Sequence, residues 1–169
     1  MAHKHFIENW GRLGSNAHDV ITLEQILNKQ LGGSYLSVGN GRSYGDVGFN
    51  SDGLVHLSSR SNNFVRFDPD AGILCAEAGV LLGTIQHLFA PRGWMLPVTP
   101  GTQFVTLAGA LANDVHGKNH HSQGSFGHHV KSIQLYRSDL GVIDCSINHN
   151  TELFHATIGG LGLTGIILS

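Results

Sequence analysis

The sequence predicts an α+β fold, in which a small parallel-stranded unit precedes a larger mixed or antiparallel sheet with flanking helices. Short apolar runs that are typical of strands alternate with periodic segments that are typical of helices. Two pairs of β-rich runs are each joined by turn residues, which indicates two hairpins. Both hairpins lie after about residue 62, so antiparallel pairing is expected there.

The first part of the chain predicts one helix and two strands. The helix covers residues 18–31, HDVITLEQILNKQL, because Ser15 or Asn16 offers an N-cap and Gly32–Gly33 ends the periodic pattern. Buried strands are predicted at residues 34–38 and 53–59, the apolar runs SYLSV and GLVHLSS.

The middle of the chain predicts a hairpin, two helices and a strand. The hairpin covers residues 64–79, where Asp-Pro-Asp-Ala-Gly separates two β-rich runs. A helix follows at residues 81–93 and ends at a proline and a glycine. The run WMLPV predicts a strand at residues 94–98, and TLAGALAN predicts a short helix of small residues at 106–113.

The last part predicts a second hairpin, a helix and a strand. The hairpin covers residues 130–146 and turns at Asp139-Leu140-Gly141. The helix covers residues 150–160, with Asn150 or Thr151 as its cap and Glu152 in its first turn. The final run TGIILS predicts a strand without its continuation, so we expect the chain to be a fragment.

Composition narrows the class of protein. Of 169 residues, 41% are hydrophobic and 13% are charged, which is typical of a globular chain. A net charge of -2 with scattered basic residues does not favour nucleic-acid binding. Cys75 and Cys145 lie in apolar runs and are expected to be free thiols.

We find no signal peptide and no apolar run of the ~20 residues that a membrane helix needs, and therefore expect a cytoplasmic protein without a transmembrane segment.

Four glycines interrupt the segment VGNGRSYGDVG, residues 38–48, directly after a predicted strand. Successive N–H groups in such a loop can form a nest that binds phosphate oxygens. The spacing matches neither the dinucleotide fingerprint of G-x-G-x-x-G nor a P-loop. The loop alone therefore indicates either an anionic ligand or a tight turn with Tyr44 packed beside it.

Small residues dominate two further segments. At residues 99–113, TPGT precedes the predicted helix TLAGALAN, whose N-terminus would offer unpaired N–H groups to an anion. At residues 158–167, four glycines separate a predicted helix from a predicted strand. Taken alone, the first segment is better explained by close packing of helix on sheet, and a capped helix explains part of the second.

Five histidines and an aspartate lie within residues 114–129. This density suggests a metal site, but the segment has no His-Glu-x-x-His pattern and no cysteine nearby. We therefore expect no metal here. A polar strip beside a cofactor and a substrate is the favoured interpretation, with His120, His121, His128 and His129 mostly structural.

Taken together, these segments resemble the FAD-binding domain of the vanillyl-alcohol-oxidase/p-cresol-methylhydroxylase (PCMH-type) family of FAD-linked oxidases. The matching stretches are GRSYGD, PGT, HGKNHH, GSFG.HV and ELF.AT.GG.GLTGII, which span residues 38–168. Within the family, the chain is most similar to the decaprenylphosphoryl-ribose 2'-oxidase group. The resemblance implies a PCMH-type fold over residues 1–169, with subdomains of about 1–62 and 63–169 and with the C-terminal substrate domain absent.

The resemblance also implies FAD, with its pyrophosphate against the glycine loop and its isoalloxazine near residues 106–109 and 113–116. The residues expected to contact the cofactor are Ser37, Val38, Gly39, Asn40, Gly41, Arg42, Ser43, Tyr44, Gly45, Asp46, Val47, Gly101, Thr106, Leu107, Ala108, Gly109, Asn113, Asp114, Val115, His116 and Ile167. Many family members attach the flavin covalently through a histidine at the position of Arg42, so non-covalent FAD is expected here. Asn113 stands where the most similar group carries cysteine, so contacts along the flavin edge are expected to differ.

The activity implied by the resemblance is oxidation of a CH–OH group, by hydride transfer to flavin N5, on a sugar or a lipid-linked sugar. Lys118, His116 and Tyr44 are the candidate catalytic residues; Lys118 would stabilise negative charge or bind a substrate oxygen. The catalytic base would lie in the absent domain, and a reductase that completes an epimerase would be a partner. Two alternatives stay open: an alditol or aldonolactone oxidase of the same fold, and a non-catalytic module that binds a nucleotide or a metal.

Overall fold

The computed structural model describes residues 4–12, 15–28, 33–51 and 53–169. Its first layer is a four-stranded sheet of order β1-β2-β4-β3. β2 and β3 both pair parallel to β4, whereas β1 pairs antiparallel to β2. The strands are β1 (Lys4–Glu8), β2 (Ser15–Ile21), β3 (Tyr35–Val38) and β4 (Leu54–Leu57).

The predicted helix at residues 18–31 is wrong in its first part. Residues 15–21 form β2, and helix α1 (Leu23–Leu27) begins only after Thr22. Thr22 caps the helix, because its Oγ1 accepts a hydrogen bond from the Gln25 N–H while the Gln25 side chain accepts from the Thr22 N–H. Residues 29–32, which include the predicted stop at Gly32, lie outside the described part.

The second layer contains the predicted first hairpin, β5 (Phe64–Asp68) and β6 (Ile73–Ala76), paired antiparallel. Helix α2 (Leu82–Phe89) follows as predicted, with a 3-10 turn up to Arg92 and Gly93 in the left-handed region. The predicted strand at residues 94–98 is wrong, because this segment has no regular structure and leaves Trp94 and Met95 exposed.

The predicted second hairpin is confirmed as β7 (Ser132–Arg137) and β8 (Gly141–Ser146). The short strand β9 (Ile166–Ile167) pairs antiparallel with the other edge of β7. The remaining helices are α3 (Leu107–Ala112), α4 (His120–Gln123) and α5 (Thr151–Thr157). The predicted α+β fold is thereby confirmed, with parallel pairs in the first sheet and antiparallel pairs in the others.

Two hydrophobic clusters fill the layers, and a third joins them. The main cluster packs α2, α3 and α5 against β6 and β7, and a smaller one fills the first sheet around Val55. The joining cluster combines Ile21 and Ile26 from the first layer with Tyr136 and Ile166 from the second. The Tyr136 hydroxyl also donates a buried hydrogen bond of 3.1 Å to the Ile26 carbonyl. Among the described helices, none is long and apolar enough to cross a membrane.

Candidate functional site

A cleft of about 310 Å³ opens where three loop segments meet. They are the loop after β3, residues 39–48; the segment before α3, residues 100–106; and the bend between α5 and β9, residues 159–165. All three segments therefore line one cleft.

The loop after β3 presents a run of free backbone donors. Gly41 and Gly45 adopt φ values of +61° and +60°, which turn successive peptide groups toward a common side. Among the described residues, no carbonyl or side chain accepts a hydrogen bond from the N–H groups of residues 40–48. Free N–H groups in this arrangement suit an anion such as a diphosphate.

Direct contacts fasten this loop to the segment before α3. The Asn40 amide donates to the Phe104 carbonyl at 3.0 Å. A Cβ at Gly39 would lie 2.5 Å from the Thr106 hydroxyl oxygen, so only glycine permits this approach. Thr106 is buried and caps α3, since its hydroxyl accepts from the Gly109 N–H at 3.1 Å. The same threonine therefore fixes both the helix and the loop.

The N-terminus of α3 does not offer the unpaired N–H groups that the sequence predicts. The Leu107 and Ala108 N–H groups donate to the carbonyls of Val80 and Ala78 at 2.8 and 2.9 Å. The Gly109 N–H donates to the Thr106 hydroxyl, so the N–H groups in the first turn of α3 already have acceptors. Of the two interpretations of this segment, the favoured one, close packing of the helix, is confirmed, and an anion in the cleft is left to the loop after β3.

The third segment closes the cleft through the C-terminus of α3. The Gly159 and Leu161 N–H groups donate to the carbonyls of Leu111 and Ala112 at 3.0 and 2.8 Å, and these are acceptors in the last turn of the helix. A Cβ at Gly162 would lie 3.9 Å from the Ser37 carbonyl oxygen, so the bend passes close to the end of β3.

Arg42 places a positively charged side chain in the wall of the cleft. Its guanidinium carbon lies 6.0 Å from the Trp10 ring centroid and 5.8 Å from the Phe104 ring centroid, within range of cation–π attraction. Its Nε is buried and has no acceptor among the described residues. A buried guanidinium N–H without a partner is costly, which indicates an anionic ligand at this position.

Most of the residues predicted to contact a cofactor line this cleft. They are Ser37, Val38, Gly39, Asn40, Gly41, Arg42, Ser43, Tyr44, Val47, Gly101, Thr106, Ala108, Gly109, Asn113, Val115 and Ile167. Gly45, Asp46, Leu107, Asp114 and His116 do not line it, and their contact with a cofactor stays a prediction.

The cleft also has walls that the sequence did not indicate. Asn9 and Trp10, from the end of β1, lie beside the loop, where the Trp10 N–H donates to the Ser43 carbonyl at 3.1 Å and the Asn9 amide to the Gly45 carbonyl. No local signal marks them, because the contact spans more than thirty residues of sequence. The other additional residues are Gly48, Ser58, Pro100, Thr102, Val105, Ala112, Leu161, Gly162 and Gly165, several of which fall in the glycine-rich motifs.

Two of the candidate catalytic residues lie outside the cleft. His116 and Lys118 are exposed and do not line it, whereas Tyr44 lines it and is 77% exposed. Asp114, next to them, accepts a hydrogen bond from the Gly127 N–H at 2.9 Å. The catalytic roles of His116, Lys118 and Tyr44 remain predictions.

The histidine-rich segment is tied together by its own hydrogen bonds. His120 contacts the Gly117 carbonyl at 3.1 Å, His128 the Ser125 hydroxyl at 2.9 Å, and His129 the Gln123 carbonyl at 2.9 Å. These contacts agree with the mostly structural interpretation of the three histidines. In the described ranges, no three His, Cys, Asp or Glu side chains are grouped to hold a metal ion.

Comparison with known proteins agrees with this geometry. The family described as "FAD binding domain" matches residues 15–146, and the predicted family resemblance is confirmed. The chain is 43% identical to decaprenylphosphoryl-beta-D-ribose oxidase of Mycolicibacterium smegmatis, over 94% of this chain and 37% of that protein. It is 26% identical to L-gulonolactone oxidase of Mus musculus, over 89% of this chain and 33% of that protein.

A solved structure shares the fold. It is an alkyldihydroxyacetonephosphate synthase, with a TM-score of 0.73 and 19% identity, covering 94% of this chain and 32% of that chain. The chain thus spans about a third of the length of the relatives that it matches.

Proposed function

This chain belongs to the FAD-binding domain family, and from this premise we propose that it is the cofactor domain of an oxidoreductase that oxidises a CH–OH group of a sugar-like substrate. The observation that carries the proposal is the cleft itself, where the N–H groups of residues 40–48 and the Arg42 Nε have no hydrogen-bond partner in the part of the chain that the structure describes. Both features suit a diphosphate, which is the anionic part of FAD. The bound flavin supplies the redox chemistry.

The residues of this chain would bind and orient the cofactor. The nest after β3 and Arg42 would hold the diphosphate, while Gly101 and Gly162, where a Cβ would make no close contact with a described residue, leave room for close approach of a ligand to the main chain. Since arginine cannot form the covalent flavin link, we propose that FAD is held without a covalent bond. Acid precipitation of the flavin-loaded protein should then release all of the flavin into the supernatant.

The substrate and partners are proposed from the relatives. The 43% identity to decaprenylphosphoryl-beta-D-ribose oxidase favours a lipid-linked sugar as the substrate. An epimerase reductase is proposed as a further partner from the resemblance of the sequence alone. Lys118 and His116 would then act on a substrate oxygen once a substrate domain covers them, and Tyr44 would line the same pocket. We propose the substrate domain as part of the longer protein. We also propose that residues 1–62 and 63–169 form two subdomains, with an approximate boundary, and that the protein is cytoplasmic.

A second candidate is an aldonolactone oxidase, favoured by the identity to L-gulonolactone oxidase over 89% of this chain. The substrate range of the longer protein would separate the two candidates. The domain alone should turn over neither substrate, because the proposed substrate domain supplies the base. Oxidation of a sugar by the 169-residue chain at an ordinary enzymatic rate would contradict this division of roles.

The binding proposal is tested by titrating the protein with FAD and with riboflavin, which lacks the diphosphate. Arg42→Gln should weaken FAD binding by about tenfold or more, since a charged hydrogen bond contributes about 1.5–3 kcal/mol. The same variant should leave riboflavin binding almost unchanged. Arg66→Gln, an exposed arginine on β5 outside the cleft, is the matched control and should bind both ligands like the unaltered protein.

The outcomes separate the possibilities. Equal weakening of FAD and riboflavin binding by Arg42→Gln would mean that Arg42 does not contact the diphosphate. Failure of the longer, folded protein to bind any flavin would overturn the proposed function and favour a module for another ligand.

A further inference from the structure

The loop after β3 is held in place through its acceptors and not through its donors. Among the described residues, no group accepts a hydrogen bond from the N–H groups of residues 40–48. Carbonyl groups of the same loop do have partners, and two of these partners come from Asn9 and Trp10, which follow β1. The contacts that fix the shape of the loop therefore leave its donors available to a ligand.

The two contacts from the end of β1 act on alternate peptide groups of the loop. The Trp10 N–H donates to the Ser43 carbonyl at 3.1 Å. The Asn9 side-chain amide donates to the Gly45 carbonyl. In a trans peptide group the C=O and the N–H point in opposite directions. Each bonded carbonyl therefore turns the N–H of the same peptide group away from the end of β1.

The N–H groups that are turned in this way belong to Tyr44 and Asp46. Gly45 lies between them with a φ of +60°, and a positive φ at this position is typical of an anion-binding nest. A Cβ at Gly45 would meet no atom of a described residue within 4 Å, so close packing does not fix this part of the loop. The hydrogen bond from Asn9 thus orients a donor of the nest that packing leaves free to turn.

The surroundings of Asn9 do not favour an asparagine for stability alone. The residue is 6% exposed, and its Oδ1 is buried without a donor among the described residues. A Cβ at Gly48 would lie 3.0 Å from this oxygen, so the loop backbone lies directly against the amide. A buried acceptor without a partner opposes folding, and an apolar side chain of similar size would avoid that cost. The donor that Asn9 gives to the Gly45 carbonyl accounts for the residue.

We propose that Asn9 is a positioning residue for the anion site and acts on it through the peptide group between Gly45 and Asp46. The inference rests on the proposed function, in which the anion is the diphosphate of FAD. Asn9 does not bind the anion itself, because its amide already donates to the loop and its Oδ1 is buried. It sets the affinity of the nest for the diphosphate and has no effect on the flavin ring.

The test compares the unaltered protein with Asn9→Leu and Asn9→Ala in titrations with FAD, inorganic pyrophosphate and riboflavin. Both variants lose the donor to the Gly45 carbonyl and should bind FAD and pyrophosphate about fivefold more weakly, as expected for the loss of one neutral hydrogen bond. Riboflavin has no diphosphate and should bind all three proteins equally. Saturating pyrophosphate should shift the amide proton resonances of Tyr44 and Asp46 in the unaltered protein, and the Asp46 shift should be smaller in both variants.

The matched control is Ile133→Val in the main cluster. Ile133 is buried on β7 and does not line the cleft. This substitution should lower the urea midpoint, because a buried methyl group is lost, without changing the binding of FAD or pyrophosphate. The comparison separates the orientation of the nest from a general loss of stability.

The remaining outcomes contradict the inference or the proposed function. Unchanged binding of FAD and pyrophosphate by the Asn9 variants would overturn the inference and leave the proposed function intact. Equal weakening of riboflavin binding, or failure of both variants to fold, would assign Asn9 a role in the whole cleft and overturn the inference as well. If the unaltered protein binds pyrophosphate but no flavin, the proposed function fails alone; if it binds neither, both fail.

Discussion

Two glycines of the loop after β3 have nearly the same backbone conformation but different surroundings. Gly41 and Gly45 have φ values of +61° and +60°. A Cβ at Gly41 would lie 2.3 Å from the Glu8 carbonyl oxygen, whereas a Cβ at Gly45 would meet no atom of a described residue within 4 Å. Gly41 is therefore required both by its conformation and by the close approach of β1.

Alanine at each position separates the two requirements. Gly45→Ala should lower the free energy of unfolding by about 1 kcal/mol, the cost of a left-handed alanine. Gly41→Ala should lower it by about 3 kcal/mol, because the backbone of β1 must also move. Urea unfolding of both variants measures the difference. Equal losses would show that the contact with Glu8 has no energetic importance.

At the same scale, the sequence predicted the residues of the glycine loop as a ligand site but did not predict Asn9 and Trp10. The loop carries its own signal, because glycine is needed wherever φ is positive. Asn9 and Trp10 reach the cleft only because β1 pairs with β2 and then meets the loop at Ser43 and Gly45. Local sequence patterns do not predict contacts between residues that are so far apart in the sequence.

At the scale of elements, prediction succeeded where a segment carried its own turn or cap. Both hairpins and α3 have such local signals and are confirmed. β1 was not predicted, because four of its five residues are exposed and only Ile7 is buried, so no apolar run marks it. β2 overlaps the segment predicted as helix, although Thr22 and Gln25 form a capping box that marks the true start of α1.

The parallel pair of β3 and β4 holds a buried histidine that gives the fold a pH dependence. His56 is 4% exposed, and its Nδ1 lies 3.1 Å from the Ser37 hydroxyl. Burial, followed by the positive charge of Arg60, lowers the pKa of His56 from 6.5 to about 4. The folded state therefore binds fewer protons at this site than the unfolded state, and stability rises with pH.

The stabilisation from His56 is fully present above pH 6.5 and is lost as the pH falls from about 6.5 to about 4. At most about 3 kcal/mol of the free energy of unfolding depends on this site. His56→Gln should flatten the plot of unfolding free energy against pH over this range, and Arg60→Gln should flatten it slightly. If both variants lose stability in acid as steeply as the unaltered chain, another group controls the acid transition.

At the scale of the whole molecule, the two layers are joined by few residues. The joining cluster of Ile21, Ile26, Tyr136 and Ile166 is small compared with the main cluster. The contacts across the cleft, such as Asn40 with the Phe104 carbonyl, add polar links. We expect the cleft to keep its shape only while both sets of contacts hold the layers together, and cofactor binding would then depend on residues far from the cleft.

The chain has two tryptophans, one in each layer, which makes this coupling measurable. Trp10 follows β1, and Trp94 follows α2 and packs against Phe67 with ring centroids 5.8 Å apart. Trp10→Phe and Trp94→Phe leave one fluorescent reporter for each layer. Both reporters should give the same urea midpoint, because the joining cluster makes unfolding cooperative.

Tyr136→Ala should then separate the two midpoints. It removes a large buried side chain, at a cost of about 3–5 kcal/mol, and the hydrogen bond to the Ile26 carbonyl with it. Tyr136→Phe is the matched control, since it loses only the hydrogen bond, about 1 kcal/mol, and should keep the midpoints together. If the reporters differ already in the chain with Tyr136, the layers unfold independently and the cleft between them is held by its own contacts alone. If they still coincide in Tyr136→Ala, the links across the cleft are sufficient to couple the layers, and the cofactor should then stabilise both layers equally.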